Sequence, residues 1–273
     1  MSTAASPIGI FDSGIGGLTV VREILRQLPH ERVIYFGDTA RVPYGPKSPD
    51  TVRRYSREIA EYLTSQDVKA IVVACNTATA HALPQLQREY ALPIIGVVEP
   101  GARAAVAATR RRELGVIGTA GTISSGAYER AIRAIAPDAD IVARACPLLV
   151  PLVEEGWLDT EATRLIVREY LTPLQTAGID TLVLGCTHYP LLKPLLAEVL
   201  GPDVVLIDSA HETAAETARV LQARGLLADE TATKRSKCHM HRFIASDAPD
   251  HFLRLGQRFL GSAIKCVETL TLG

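Results

Sequence analysis

The sequence predicts an α/β protein built from largely parallel sheets flanked by helices, and three observations predict it. Short apolar runs recur along the chain, they are β-branched-rich and continuous rather than alternating, and stretches with helical spacing separate them. A strand covered on both faces by crossover helices is apolar throughout, whereas a half-exposed strand alternates. In chain order the runs are PIGIFDSG from Pro7, RVIYFGDT from Arg32, KAIVVACNT from Lys69, PIIGVVEP from Pro93, ELGVIGTAGT from Glu113, DTLVLGCTH from Asp180 and VVLIDSA from Val204. Between them, TVRRYSREIAEYL from Thr51 and EATRLIVREYLTPL from Glu161 show the spacing of amphipathic helices.

Each run ends in small or polar residues. In parallel folds the loops after strand C-termini line the ligand crevice, because crossover helices begin there and aim backbone N–H groups into it. Those polar residues are therefore the site candidates. Two runs echo each other: AIVVACNTATAHALPQL from Ala70 and TLVLGCTHYPLLKPLL from Thr181 share a strand, a cysteine, a threonine and a proline-bearing apolar segment. Two related half-domains facing each other would put Cys75 and Cys186 on opposite walls of one cleft, with a boundary near VVEPGARAA.

Composition narrows the function classes. A chain of 273 residues, 47% hydrophobic and 22% charged, has room for a substantial core in one large or two smaller domains. Its net charge of −1 leaves no electrostatic footprint for a nucleic acid or an anionic membrane, so a small molecule is the expected partner. The opening residues MSTAASP lack a basic and apolar targeting pattern, and no apolar run approaches the ~18 residues of a membrane span, so a cytoplasmic location is expected. Five cysteines, odd in number and without a CxxC pair, argue for free thiols in a reducing compartment.

The loop GIGGLT after Asp12 and Ser13 has the look of a dinucleotide fingerprint, with Asp38 ending the next strand 24 residues after Gly14. However, the third glycine position falls on Thr19, Asp12 would face any pyrophosphate, and no Walker lysine follows. A tight turn needing positive φ accounts for Gly14 and Gly16, but not for the acid and serine at the strand tip.

Cys75 and Cys186 each end a strand just before an expected helix start, where unpaired N–H groups favour a thiolate and lower a thiol's pKa from about 8.5. His188 lies close enough to Cys186 in sequence to exchange a proton with it. Cys146, Cys238 and Cys266 read instead as small buried hydrophobes or incidental surface thiols. Two opposed thiols suit inversion of an amino acid's α-carbon, in which one face loses a proton and the other gains one. Such a pair offers a route without a cofactor.

At these residues the chain resembles the cofactor-independent aspartate/glutamate racemase superfamily. The blocks IGIFDSGIGGLTV, YFGDTARVPYG, VVACNTATA, PIIGVVEPG, GTAGTISSGAY, CPLLVPLVEEG, LVLGCTHYPLL and VVLIDSA follow in order almost end to end. DTARVPYG and GCTHYPLL fit the glutamate branch better than its aspartate or hydantoin relatives. The resemblance implies interconversion of L- and D-glutamate, supplying D-glutamate for peptidoglycan, with no cofactor. It implies Cys75 and Cys186 as proton donors and acceptors, Cys75 on the D face and Cys186 on the L face. Asp12 would assist Cys75, and His188 with Glu154 would assist Cys186. Ser13, Tyr44, Gly45, Asn76, Thr77, Thr119, Thr122 and Thr187, with Asp12 and His188, would hold the substrate.

It further implies two pseudo-symmetric domains, 1–98 plus 209–273 and 99–208, with the site in the cleft between them, and a homodimer. A sibling acting on aspartate is the alternative enzyme; an amino-acid-binding or gyrase-interacting protein is the alternative without turnover, though only six residues precede Pro7. KRSKCHMHRF, residues 234–243, offers Cys238, His239 and His241 but no second ligand cluster, and is expected to be a basic strand with exposed side chains rather than a metal site.

Overall fold

A computed structural model describes residues 3–230 and 241–272. Two fully parallel sheets organise them. The first has the order β10-β9-β2-β1-β3-β4, with β1 Ile8–Asp12, β2 Val33–Gly37, β3 Ala70–Val73, β4 Ile94–Gly96, β9 Arg242–Ala245 and β10 Glu268–Thr269. The second runs β6-β5-β7-β8, with β5 Glu113–Gly118, β6 Asp140–Ala145, β7 Thr181–Gly185 and β8 Val205–Asp208. Each of the seven apolar runs contains a strand. The central β1, β2, β3 and β7 are buried along their whole length, as continuous apolar runs require.

Three strands carry no such run. Edge strand β6, sequence DIVARA, is only partly covered, and β10 is two exposed residues. In β9, Phe243, Ile244 and Ala245 are buried against β2, so the expectation of exposed side chains fails at Phe243, because this strand extends the sheet rather than lying on it. His241 accepts a hydrogen bond from the Val33 N–H at 3.3 Å. Cys238, His239 and the rest of 234–240 lie outside the described residues.

Helices connect the strands: α1 Leu18–Gln27, α2 Pro49–Ser65, α3 Asn76–Glu89, α4 Val98–Ala108, α5 Ala120–Ser124, α6 Ala127–Arg133, α7 Leu149–Glu154, α8 Glu161–Thr176, α9 Lys193–Leu200, α10 Ser209–Ala223 and α11 Pro249–Leu260. Starts are chemically marked where they matter to stability: Ser48 accepts from the Thr51 N–H before Pro49, and Thr160 accepts from the Thr163 N–H. Such caps contribute about 1 kcal/mol each. Helix α1 buries Leu18, Val20, Val21 and Ile24 against the first sheet and packs on α10. The chain passes from the first sheet to the second at α4 and returns at α10, and these two helices pack on each other.

Register positions the site. Asp12 pairs with Gly37 and Phe11 with Val73, so the tips of β1 and β3 emerge side by side. Gly118 pairs with Gly185, so Thr119 and Cys186 leave the second sheet together. Among the described residues no helix is long and apolar enough to cross a membrane.

Candidate active site

Cys75 lies two residues beyond β3 and is the N-cap of α3, where its sulfur accepts the Ala78 N–H at 3.4 Å and lies 3.7 Å from Ser13 Oγ. The sequence expectation of a lowered pKa is overturned here. Burial, then the neighbouring Asp12 carboxylate, push the Cys75 thiol up to about 12, and the Ala78 and Ser13 hydrogen bonds offset only part of that. Desolvation therefore outweighs the helix terminus at this cysteine. Asp12 is fully buried at the tip of β1; its Oδ2 accepts the Gly14 N–H at 3.0 Å and its Oδ1 has no hydrogen-bond partner. Burial raises its pKa against the pull of His188 and two backbone N–H groups.

Cys186 follows β7 in the second sheet, close enough to Cys75 for the charge of one to act on the other. No α-helix begins directly at Cys186, in contrast to Cys75: a 3-10 turn over Tyr189–Leu192 intervenes before α9. Its sulfur instead meets His188 Nδ1 at 3.8 Å, and His188 Nε2 meets Glu154 Oε1 at 2.9 Å. Burial opposes a charge on this imidazole, but Cys186 and Glu154 outweigh it and raise the His188 pKa to about 10. An imidazolium thus stands beside Cys186. Glu154 closes α7 facing inward, while Glu155 is exposed.

The glycine loop joins the two walls. Gly14 and Gly16 do not have positive φ, so the expected turn conformation is not what selects glycine. Close approach does. A Cβ on Gly16 would stand 2.3 Å from Thr187 Oγ1 and 2.5 Å from His188 Nδ1, and one on Gly17 would stand 2.5 Å from Asp12 Cβ. The Thr19 hydroxyl lies at the same contact, its one proton shared between the Gly16 carbonyl at 2.9 Å and the Thr187 carbonyl at 3.2 Å.

Further polar groups lie beside these residues. Thr77 on α3 and Thr119 and Thr122 around α5 form a hydroxyl triangle with sides of 2.8, 3.0 and 3.2 Å. Gly45 brings its carbonyl to the Gly121 N–H at 2.9 Å. Asn76 is buried with Oδ1 accepting the Tyr128 hydroxyl at 2.7 Å and Nδ2 unpartnered. The Tyr44 hydroxyl donates to buried Asp38, which also receives Arg41 and Ser246, so the phenol is held by the protein while the ring lies in the apolar cluster containing Cys75. Cys75 and Cys186 are each only 5% exposed, which leaves little bulk water at the sulfurs. Among the described residues no group of three or more His, Cys, Asp or Glu side chains is placed to hold a metal ion.

Residues 8–217 match the Asp/Glu/Hydantoin racemase family. The chain belongs to that family. It is 55% identical over 265 residues to the glutamate racemase of Geobacter metallireducens, covering 97% of this chain and 96% of the relative. A crystal structure of the glutamate racemase isoform RacE1 from Bacillus anthracis superposes with a TM-score of 0.91 at 43% identity, over 98% of this chain and 97% of that one. The Francisella tularensis glutamate racemase, crystallised with D-glutamate, gives 0.90 at 37% identity over 98% of each chain.

Within this racemase-family site, sequence reasoning missed Tyr128, Asp38 as the anchor of Tyr44, and Thr19. Tyr128 and Thr19 signal themselves only through partners distant in the chain, and Asp38 only through the loop that folds Tyr44 back onto it. Cys146, read as a small buried hydrophobe, is buried beneath Tyr189, whose hydroxyl donates to its carbonyl at 2.8 Å, and burial pushes its thiol up to about 12.

Proposed function

We propose that this chain is a glutamate racemase that inverts the α-carbon with two cysteines set in different acid–base surroundings. The observation that carries this is the pairing of each cysteine with a different acid–base environment: Cys75 with Asp12 in a desolvated setting that keeps its proton, and Cys186 with an imidazolium relayed to Glu154. The names of close relatives along the whole chain support glutamate as the substrate.

With L-glutamate bound, Cys186 thiolate takes the α-proton, so the Cα–H bond breaks and an S–H bond forms. The electron pair remains on Cα, delocalised into the α-carboxylate. Cys75 then gives its thiol proton to the opposite face, a new Cα–H bond forms, and Cys75 is left as thiolate. The reverse direction exchanges the roles, and the two end states differ in the configuration at Cα and in which sulfur carries the proton. In this reading Asp12, whose charge acts on the Cys75 thiol, assists it, and His188 keeps a positive charge beside Cys186 when it is a thiolate.

Asn76, Thr77, Thr119, Thr122, Thr187, Ser13 and the Gly45 backbone supply neutral donors and acceptors for two carboxylates and an ammonium. Neutral donors can strengthen as charge moves onto the α-carboxylate, without the uniform ground-state binding of a lysine or arginine. No step requires a cofactor. The same proposal includes 1–98 plus 209–273 and 99–208 as the two working domains, supported by which strands share a sheet. It also includes a cytoplasmic homodimer supplying D-glutamate to peptidoglycan, supported by the family resemblance.

The test is polarimetry of purified protein with each enantiomer of glutamate and, separately, of aspartate, with no cofactor added. Loss of optical rotation from both glutamate enantiomers is expected. A protein that leaves glutamate unchanged while racemising aspartate would replace the substrate, and one inert to both would overturn the enzyme.

A further inference from the structure

Tyr128 connects the two halves of the molecule at one buried point. It stands on α6, beside the second sheet, and its hydroxyl reaches Asn76 Oδ1 on α3, beside the first, at 2.7 Å. Around the phenol lie both chain crossings: a Cβ on Gly101 of α4 would stand 3.4 Å from Tyr128 Oη and from Cβ of Ser209, the first residue of α10. The other side of the ring rests on the residue before Cys186, since a Cβ on Gly185 would meet Tyr128 Cε2 at 3.0 Å. One side chain thus touches both crossings, the Cys186 strand and the residue after Cys75.

A carboxamide has two faces of opposite chemistry, an acceptor oxygen and a donor nitrogen, and its orientation is set by what its partners offer. Burial holds the Tyr128 phenol well above its ordinary pKa, so it keeps its proton and remains a donor. A donor in that position takes the amide oxygen and leaves Nδ2, buried and unpartnered, for something else. An unpartnered buried donor is costly unless a ligand satisfies it.

We propose that Tyr128 is a positioning residue whose hydroxyl fixes the Asn76 amide so that Nδ2 is presented to a carboxylate of the bound amino acid, tying that donor to the two chain crossings. The inference rests on the racemase reading above. It predicts a loss chiefly in binding, because a carboxylate is already charged when it binds and most of the amide contact is made before the α-proton moves.

Tyr128→Phe removes the hydroxyl and keeps the ring. The expected result is a rise of about fivefold in glutamate KM in both directions, the worth of one neutral hydrogen bond, with kcat within about twofold. In an Asn76→Ala background the same substitution should leave KM unmoved. Asn76→Asp, which puts an anion where the donor stood, should lose more than Asn76→Ala. An unchanged KM in folded Tyr128→Phe, or a KM effect that persists without Asn76, overturns the inference. Thermal unfolding of the parent, Tyr128→Phe, Asn76→Ala and their double variant without substrate separates this from the functional reading: absence of glutamate turnover in the parent contradicts the racemase, whereas Tm losses that simply add contradict the Tyr128–Asn76 link. Tm losses smaller together than in sum uphold that link whatever the substrate proves to be.

Discussion

Cys75 and Cys186 end comparable strands in comparable sequence settings, yet their surroundings hold opposite charges. Cys75→Ala and Cys186→Ala should each reduce inversion by at least about 10³-fold, within the range of lost acid–base catalysis, and the serine variants should be nearly as poor because an alcohol is a far weaker acid. Full racemisation by either alanine variant, measured by polarimetry, would remove the two-thiol mechanism. His188 makes a separate prediction in stability. Its folded pKa, raised to about 10 by Cys186 and Glu154 against burial, exceeds the unfolded value of about 6.5, so the folded state holds the extra proton between them. The contribution is complete below pH about 6.5 and is lost as pH rises toward about 10. Chemical denaturation across that window should show stability falling with pH, and His188→Asn should flatten the slope. An identical slope in the variant would mean that the imidazole is not held charged.

Among elements, the glycine loop between β1 and α1 decides whether the two walls meet. Gly16→Ala should displace His188 or the loop, since the added carbon would overlap Thr187 Oγ1 and His188 Nδ1. A fall of ten-fold or more in kcat, on the scale of about 1.4 kcal/mol per decade, is expected in steady-state kinetics, and wild-type kcat would show that the contact yields freely. The glycines were legible in the sequence but their reason was not, because close approach depends on a turn 171 residues away from Gly16, at Thr187. Strands followed the same division. Runs such as AIVV and TLVLG announced β3 and β7 because both faces are covered, whereas DIVARA did not announce β6, an edge strand whose arginine and aspartate lie at a partly open surface. At Cys75 the helix start was readable, while the burial that reverses its effect on the thiol is a property of the assembled cleft.

The whole molecule holds the first sheet closed from below by a buried ion pair as well as by apolar packing. Lys69 Nζ lies 2.5 Å from Glu31 Oε2 and donates to the Ala4 carbonyl at 2.6 Å, while Glu31 Oε1 accepts the Ala228 N–H at 2.8 Å, so the pair ties Ala4, before β1, to Ala228, after α10. Lys69→Met leaves Glu31 buried and unpaired and should cost about 3–5 kcal/mol in urea denaturation, with kcat unchanged in the surviving folded protein. A loss under about 1 kcal/mol would show that Glu31 finds water or protonates readily. This scaffold matters to the chemistry only by keeping the two thiols opposed, and that opposition is most directly tested by isotope incorporation. Incubating the protein with L-glutamate, then with D-glutamate, in D2O and following the α-position by NMR should show one deuterium in each inverted product and almost none in unreacted substrate at early times, because a different sulfur serves each face. Equal early labelling of substrate and product would mean a single base reaching both faces, and inversion with the original α-hydrogen retained would mean an internal transfer; either result contradicts two opposed thiols.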